Sequence, residues 1–242
     1  ALGTAVWVVY LVPIVLSFLA PRQQVPLLVA AVVTALVIAG YTLDFTRSTF
    51  DPGLAQINRA LGVVTCWALA VTGLFFIRNR LAIRVQEFLQ AGQVELGRHT
   101  SGELSLEKLG SEALAFLGQR LGASAALFYA RAGDGFVRIG SFGVPADADV
   151  PQGFRLDEGH LGHVAREGRV ATLSNLPASH LVYGSGLGRG APGRVIIAPL
   201  FDDDEVNGVV EFGFVGTPHP QAQALLERIA GPLGIALRSV QF

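Results

Sequence analysis

RVIIAPLFDDDEVNGVVEFGF, residues 194–214, is the stretch on which the reading of the fold turns. Two apolar runs rich in β-branched and aromatic residues, Arg194–Leu200 and Val206–Phe214, flank the acidic turn Asp202-Asp203-Asp204-Glu205. Such runs around a turn predict an antiparallel hairpin. Moving outward, Ala125–Arg131 and Phe136–Phe142 around Ala132-Gly133-Asp134-Gly135 predict a second hairpin. Between the two hairpins lie a Pro/Asp/Gly-rich loop, a short helix at Leu161–Arg166 and a strand at Val170–Leu173. A long irregular loop, Ser174–Gly193, follows. Helical periodicity brackets the whole. Leu104, Leu106, Leu109, Leu114, Leu117 and Leu121 mark an amphipathic helix that stops at Gly122. Pro218–Ser239 forms the last helix, with Pro220 near its first turn and a stripe of Leu225, Ile229, Leu233, Leu237 and Val240; Pro232 should kink or break it. The layout predicts an α+β domain, a mainly antiparallel sheet flanked by helices.

The first third of the chain has a different character. Within residues 1–77 the charged side chains are Arg22, Asp44, Arg47, Asp51 and Arg59. Beyond Arg78-Asn79-Arg80, charges, glycines and turn residues reach the density of a soluble domain. Charged residues make up 15% of the chain, against about 25% in soluble domains, and the mean hydropathy is +0.48. Three uncharged apolar stretches, Gly3–Ala20, Val25–Leu43 and Ala60–Ile77, approach the roughly 20 residues that cross a bilayer. These predict three transmembrane helices, the first kinked at Pro13 and joined to the second by Pro21-Arg22-Gln23-Gln24. The polar Asp44–Arg59 loop separates the second from the third. Arg78, Arg80 and Arg84 at the end of the third span place that end in the cytoplasm. The N-terminus and the Asp44–Arg59 loop then lie outside. The competing reading is a buried helical hairpin of a soluble protein. No ionisable residue lies mid-span, which argues against transport, while Gly62, Ala70 and Gly73 offer small-residue surfaces for helix packing.

The expected organisation is a transmembrane anchor over residues 1–80, a connector over 81–102 and a cytoplasmic head over 103–242. In the connector, Leu81, Val85, Phe88 and Leu89 form one helical stripe, and His99-Thr100-Ser101-Gly102 is a break. A net charge of −1 gives no electrostatic case for a nucleic-acid partner. Cys66 is the one cysteine, which rules out an intrachain disulfide and a CxxC motif. The sequence contains no methionine, which predicts a chain trimmed at its start.

Three stretches of the head resemble the GAF domains of bacterial sensor proteins. Residues Leu156 through Gly168, LDEGHLGHVAREG, are similar to the family's glycine-bounded central helix. Asn175-Leu176-Pro177 and Ser185-Gly186-Leu187-Gly188 are similar to its long loop. Ala198-Pro199-Leu200 and Gly208 through Phe212 are similar to its closing hairpin. The membrane half, through Tyr10-Leu11-Val12-Pro13, Gly40-Tyr41 and Asn58-Arg59-Ala60-Leu61, resembles the N-terminal spans of bacterial sensor histidine kinases. The resemblance implies a bacterial inner-membrane protein with its soluble head in the cytoplasm. It also implies a ligand pocket between sheet and long loop, with His163 and Tyr183 as candidate pocket residues.

No catalytic constellation, metal site or cofactor is expected. Gly184–Gly193 lacks the GxxxxGK[ST] phosphate-loop pattern and reads as a lid-like loop. His160 and His163 share a helical face near Glu158, a spacing that can hold a metal or a haem, but no second liganding cluster accompanies them. Asp202–Glu205 lacks the spacing of a calcium loop and reads as a solvated turn. Ser174, Ser179 and His180 are not organised by a GxSxG elbow. A bilin would need a cysteine that the head lacks. The expected partners are therefore the lipid bilayer, a protein and an unidentified small-molecule ligand. The protein is either a second copy, paired through the Leu104–Leu121 and Leu225–Val240 stripes, or a larger membrane complex. The expected function is that of the input region of a sensor histidine kinase, whose output domain would lie beyond Phe242. The alternative is a structural accessory subunit that stabilises an integral membrane complex, for example a respiratory or photosynthetic one.

Overall fold

The computed structural model describes residues 6–44, 52–102, 104–174, 182–185 and 188–241. The chain folds as two compact units, Ala1–Gln86 and Glu87–Phe242.

In the first unit a 3-10 turn, Val6–Tyr10, leads into α1 (Leu11–Leu16) and a second 3-10 turn, Ser17–Leu19. Helix α2 (Val25–Asp44) follows, and α3 starts at Pro52 and runs to His99. Small side chains make the seam of this unit. Ile14, Ala30, Val33, Cys66 and Ala70 form its buried core, and Gly73 lacks the methyl that would run into the Phe18 ring. The Trp67 indole donates a hydrogen bond to Thr34 Oγ1 at 3.0 Å. Ala70 and Gly73 thus serve in helix packing as their size suggests.

The expectation of three spans is corrected here. Among the described residues one helix, within α3 from Gln56, is long and apolar enough to cross a membrane; the apolar segments Val8–Leu19 and Val25–Gly40 are shorter. The first segment falls short because Pro13, without an N–H, sits in a helix of six residues that passes into 3-10 turns at both ends. Arg59, assigned from the sequence to a polar loop, lies inside α3; residues 45–51 are outside the described residues.

The second unit holds α4 (Leu106–Leu121), β1 (Ala125–Ala132), β2 (Gly135–Phe142), β3 (Gly153–Arg155), α5 (Gly159–Glu167) and β4 (Ala171–Ser174). It continues with β5 (Tyr183–Ser185), β6 (Gly188–Gly190), β7 (Arg194–Asp202), β8 (Glu205–Phe214) and α6 (Ala222–Gln241). A six-stranded sheet has the order β3-β2-β1-β8-β7-β4, and β5 pairs with β6 separately. Every pairing is antiparallel. The sequence missed β3 and the β5–β6 hairpin, since three-residue strands are too short to show period-two alternation.

Alternation along the strands gives the sheet two buried faces. On one, α6 packs on β7 and β8, and α4 on β1 and β2. The expected start of α4 at Leu104 moves to Leu106, because Ser105 caps the helix by accepting the Lys108 N–H. Helix α6 stays continuous through Pro232. Ile229 and Leu233 on either side of the proline are buried, so packing outweighs the lost hydrogen bond. Leu225, Ile229, Leu233 and Leu237 of α6 are buried within the domain, as are Leu109, Leu114, Leu117 and Leu121 of α4; Leu104, Leu106 and Val240, at the ends of the two stripes, are partly buried. A charge at Leu233 would disturb this packing before it reported on self-association.

The last turns of α3 belong to this unit. Arg120 on α4 donates to Glu95 Oε2 and to the Phe88 carbonyl, each at 2.9 Å, and its guanidinium lies 4.6 Å from the Phe88 ring centre. Phe88 also stacks on His219, with centroids 4.1 Å apart. His99 stacks on Phe116 at 5.1 Å, and Arg228 of α6 donates to Gln93 at 3.0 Å. These contacts fix residues 88–99 to α4 and α6.

Candidate functional site

The other sheet face carries a core of a different kind. Ala125, Leu127 and Tyr129 of β1, Val209 of β8, and Val195 and Ile197 of β7 point to it, and Phe136, Phe154, Val164 and Ala165 pack over them. Into this apolar surface projects Glu211. It occupies the strand β8, opposite Leu127 on one side and Ile197 on the other, and is only 4% exposed. Removing a carboxylate from water costs several kcal/mol before polar contacts compensate it. Its place on an inner strand puts an ionisable group on an otherwise apolar face.

A cavity of about 250 Å³ lies in front of Glu211. Tyr129 and Phe154 wall it, packed edge to face with centroids 5.1 Å apart, and Phe154 is backed by Phe136 at 4.9 Å. The Tyr129 hydroxyl donates to the Pro151 carbonyl at 3.3 Å. Burial, and then the negative charge of Glu211, push the Tyr129 phenol well above its usual range, so it remains a hydroxyl donor at all physiological pH values. Glu158, His160 and Leu161 from the β3–α5 turn complete the lining used below.

The glycines of the LDEGHLGHVAREG stretch hold that turn in place. Gly159 opens α5 at φ +62° and Gly168 ends it at φ +62°, both in the left-handed region that costs glycine nothing. Glu158, at the N-cap position, accepts the Arg155 N–H at 2.9 Å and ties the turn back to β3. Arg166 pairs with Asp157.

The two site residues expected from the sequence fare differently from their neighbours. His163 is exposed on α5 and does not line the cavity, whereas His160, one turn earlier, does. Tyr183 on β5 packs against the same core without lining the cavity. The hairpin it belongs to is held to the 143–150 loop: the Gly184 N–H donates to the Gly143 carbonyl at 2.9 Å, and Arg189 pairs with Asp147 at 2.8 Å. Tyr129 and Glu211 were missed. The signal for Glu211 was present, as the single charged residue inside the apolar run Val206–Phe214. Asn175-Leu176-Pro177, Ser179 and His180, together with Gly186 and Leu187, lie outside the described residues.

Asp202–Glu205 is a turn between β7 and β8, with Arg131 on Glu205 at 3.1 Å and Arg238 on Asp202. Among the described residues no group of three or more His, Cys, Asp or Glu side chains is placed to hold a metal ion.

A sheet whose edge strand and central helix enclose a cavity on one face, with terminal helices on the other, is matched in the sequence by the GAF domain family profile over residues 103–238. The chain belongs to the GAF domain family. Its structure is similar to the GAF domain of a phosphoenolpyruvate-protein phosphotransferase from Coxiella burnetii, at 14% identity and a TM-score of 0.51, covering 66% of this chain and 96% of that one. It is similar to the A. aeolicus nlh2 GAF domain in an inactive state, at 20% identity and a TM-score of 0.50, covering 64% and 98%. It also resembles the GAF domain of an Acinetobacter phosphoenolpyruvate-protein phosphotransferase, at 12% identity and a TM-score of 0.51, covering 63% and 94%. At these identities the likeness is one of fold. No curated protein matches the sequence.

Proposed function

We propose that this GAF domain binds a small molecule in the Tyr129–Glu211 cavity and communicates its occupancy through the last turns of α3. In this reading the chain is a non-catalytic, membrane-anchored input module, like the input regions of bacterial sensor histidine kinases, with the domain on the cytoplasmic side. The buried Glu211 carboxylate opening onto a cavity carries the proposal. Such convergence of polar groups in an apolar concavity is the mark of a ligand site. The clamp of Phe88, Glu95 and His99 onto α4, with Gln93 held by Arg228 of α6, supplies the coupling element. The apolar α3, with Leu61, Val64, Phe75 and Phe76 more than half exposed, supports a bilayer as partner.

Binding is tested with the full chain in detergent, by thermal unfolding against a metabolite library. A compound at about a hundred times its Kd adds about 2.7 kcal/mol, which raises the Tm of a domain this size by several degrees. Val150→Trp, which fills the cavity, should abolish the rise. Binding fails as a reading if no compound moves the wild type, or if hits move the variant equally. The anchor is tested by alkaline carbonate extraction of membranes: the chain should stay in the pellet, and its release into the supernatant would refute membrane insertion.

A further inference from the structure

We infer that four arginines at one end of the apolar first unit, Arg22, Arg78, Arg80 and Arg84, form a collar that binds anionic phospholipid headgroups. The inference rests on the membrane-anchor reading above and adds the class of lipid. Three observations converge. First, packing gathers the four residues at one end of the unit. Phe18 fills the space left by Gly73, and its ring centre lies 6.3 Å from that of Phe76. The turn that carries Arg22 is therefore level with the last apolar turn of α3, and Arg78, Arg80 and Arg84 follow directly. Second, the four side chains are exposed and make no ion pair or hydrogen bond with a described residue. Arg120, Arg131, Arg166, Arg189 and Arg238 of the GAF domain, by contrast, are each paired with a carboxylate. Third, no acidic residue of the unit answers their charge. The acidic residues before Glu87 are Asp44 and Asp51. Helix α2 starts at Val25 beside the collar and reaches Asp44 at its far end, about 30 Å along the helix.

The bilayer supplies the missing anion. Helix α3 leaves the apolar stretch Ala60–Ile77 at Arg78, so the collar sits where a crossing helix meets the headgroups. Arg80 and Arg84 share one side of the helix, a turn apart, and Arg78 faces roughly the opposite side. Between them Leu81 and Ile83 are 44% and 57% exposed, an apolar surface that the boundary between headgroups and acyl chains covers. The aliphatic stems let each arginine hold its guanidinium at the level of the phosphates, and the planar fork matches a phosphodiester bidentately. A lipid with a net negative headgroup adds its charge to that contact, whereas the ammonium of a choline lipid cancels it.

The test reconstitutes the full chain into phosphatidylcholine vesicles, with spin-labelled phosphatidylglycerol or phosphatidylcholine as the probe. Electron paramagnetic resonance separates lipid immobilised at the protein surface from lipid in the bulk, and so gives the relative affinity of the two headgroups. Phosphatidylglycerol should be favoured by about fivefold, the weight of one basic residue at an anionic surface, and about 1 M salt should bring the two together. Replacing the collar (Arg22→Gln, Arg78→Gln, Arg80→Gln, Arg84→Gln) should bring the ratio close to one while the amount of immobilised phosphatidylcholine stays unchanged. Removing exposed arginines of the second unit instead (Arg98→Gln, Arg169→Gln, Arg194→Gln) should leave the preference intact. Equal affinity in the wild type overturns the collar and leaves the anchor standing. So does a preference that survives the fourfold variant, or one lost equally in the second-unit variant. If the fourfold variant does not reconstitute, its four single substitutions decide: each should lower the preference, and four unchanged ratios overturn the inference. A wild type that immobilises neither lipid refutes the anchor as well.

Discussion

Gly234→Ala will unseat α6 from the sheet, with a loss of about 4 kcal/mol in the local stability of the domain. Gly234 lies where α6 comes closest to β7, and an added methyl would enter the van der Waals shell of the Phe201 backbone carbonyl. A backbone neighbour cannot rotate away as a side chain can, so the helix must move. Overpacking of this kind costs about 1–3 kcal/mol. A second loss comes with it. The buried Asn207 side chain donates to the Gly234 carbonyl at 2.7 Å, and a buried group stripped of its hydrogen bond costs about 1–3 kcal/mol more. Because the chain has two units, a single global unfolding free energy is the wrong readout. Amide hydrogen exchange in β7, β8 and α6 reports the domain alone, and protection there should fall by two to three orders of magnitude, as about 1.4 kcal/mol per decade requires. Gly97→Ala, in the last turns of α3, is the control. Nothing lies within 4 Å of the methyl it adds, and it should be neutral or slightly stabilising. If both variants behave alike, the close approach at Phe201 is not what seats the helix.

Arg120→Met should free the final turns of α3 while leaving the sheet intact. The arginine makes two charge-assisted contacts to α3, at 2.9 Å to Glu95 and 2.9 Å to the Phe88 carbonyl, and its guanidinium lies against the Phe88 ring. Its Nε is buried without a hydrogen-bond partner among the described atoms, a cost the side chain already bears. Hydrogen bonds to a charged group contribute about 1.5–3 kcal/mol each when lost from one side. Solvent at Glu95, 49% exposed, screens part of that. A net loss of about 2 kcal/mol is expected, equivalent to roughly thirtyfold faster exchange at residues 88–99. Methionine retains most of the apolar stem, so α4 should keep its packing on β1 and β2. Unchanged exchange over 88–99 would show that the stacks on His219 and Phe116 hold the helix alone. Arg120 would then have no part in coupling.

The order of elements in the GAF domain was legible because its long strands and helices carry strong periodic patterns. Arg194–Leu200 and Val206–Phe214 alternate between two faces that are both buried, and an acidic turn separates them. The glycines around α5 are equally local: Gly159 and Gly168 are needed for their own backbone angles, whatever lies beyond. The three short strands lacked any such signal. The apolar first third of the chain was overread for a related reason. Apolar composition reports that a segment avoids water, but not how long a helix it makes, and Pro13 limits α1 to six residues.

The candidate site was mostly beyond the reach of the sequence. The helical spacing of His160 and His163 treats them as equivalents, yet the orientation of α5 puts only His160 at the cavity. Tyr129 and Glu211 stand far apart in the chain and meet only because β1 pairs with β8, a register set by long-range packing. The same holds for the stripe of α6. Its periodicity was plain, but periodicity gives a face and not the partner of that face, and the fold spends it on the domain's own sheet. The sequence by itself therefore determined the long elements of the GAF domain and the family, through local backbone preferences and patterns of burial. The tertiary structure alone decided which polar groups share a cavity and which helix turns are fastened to the domain, because both depend on contacts between residues distant along the chain.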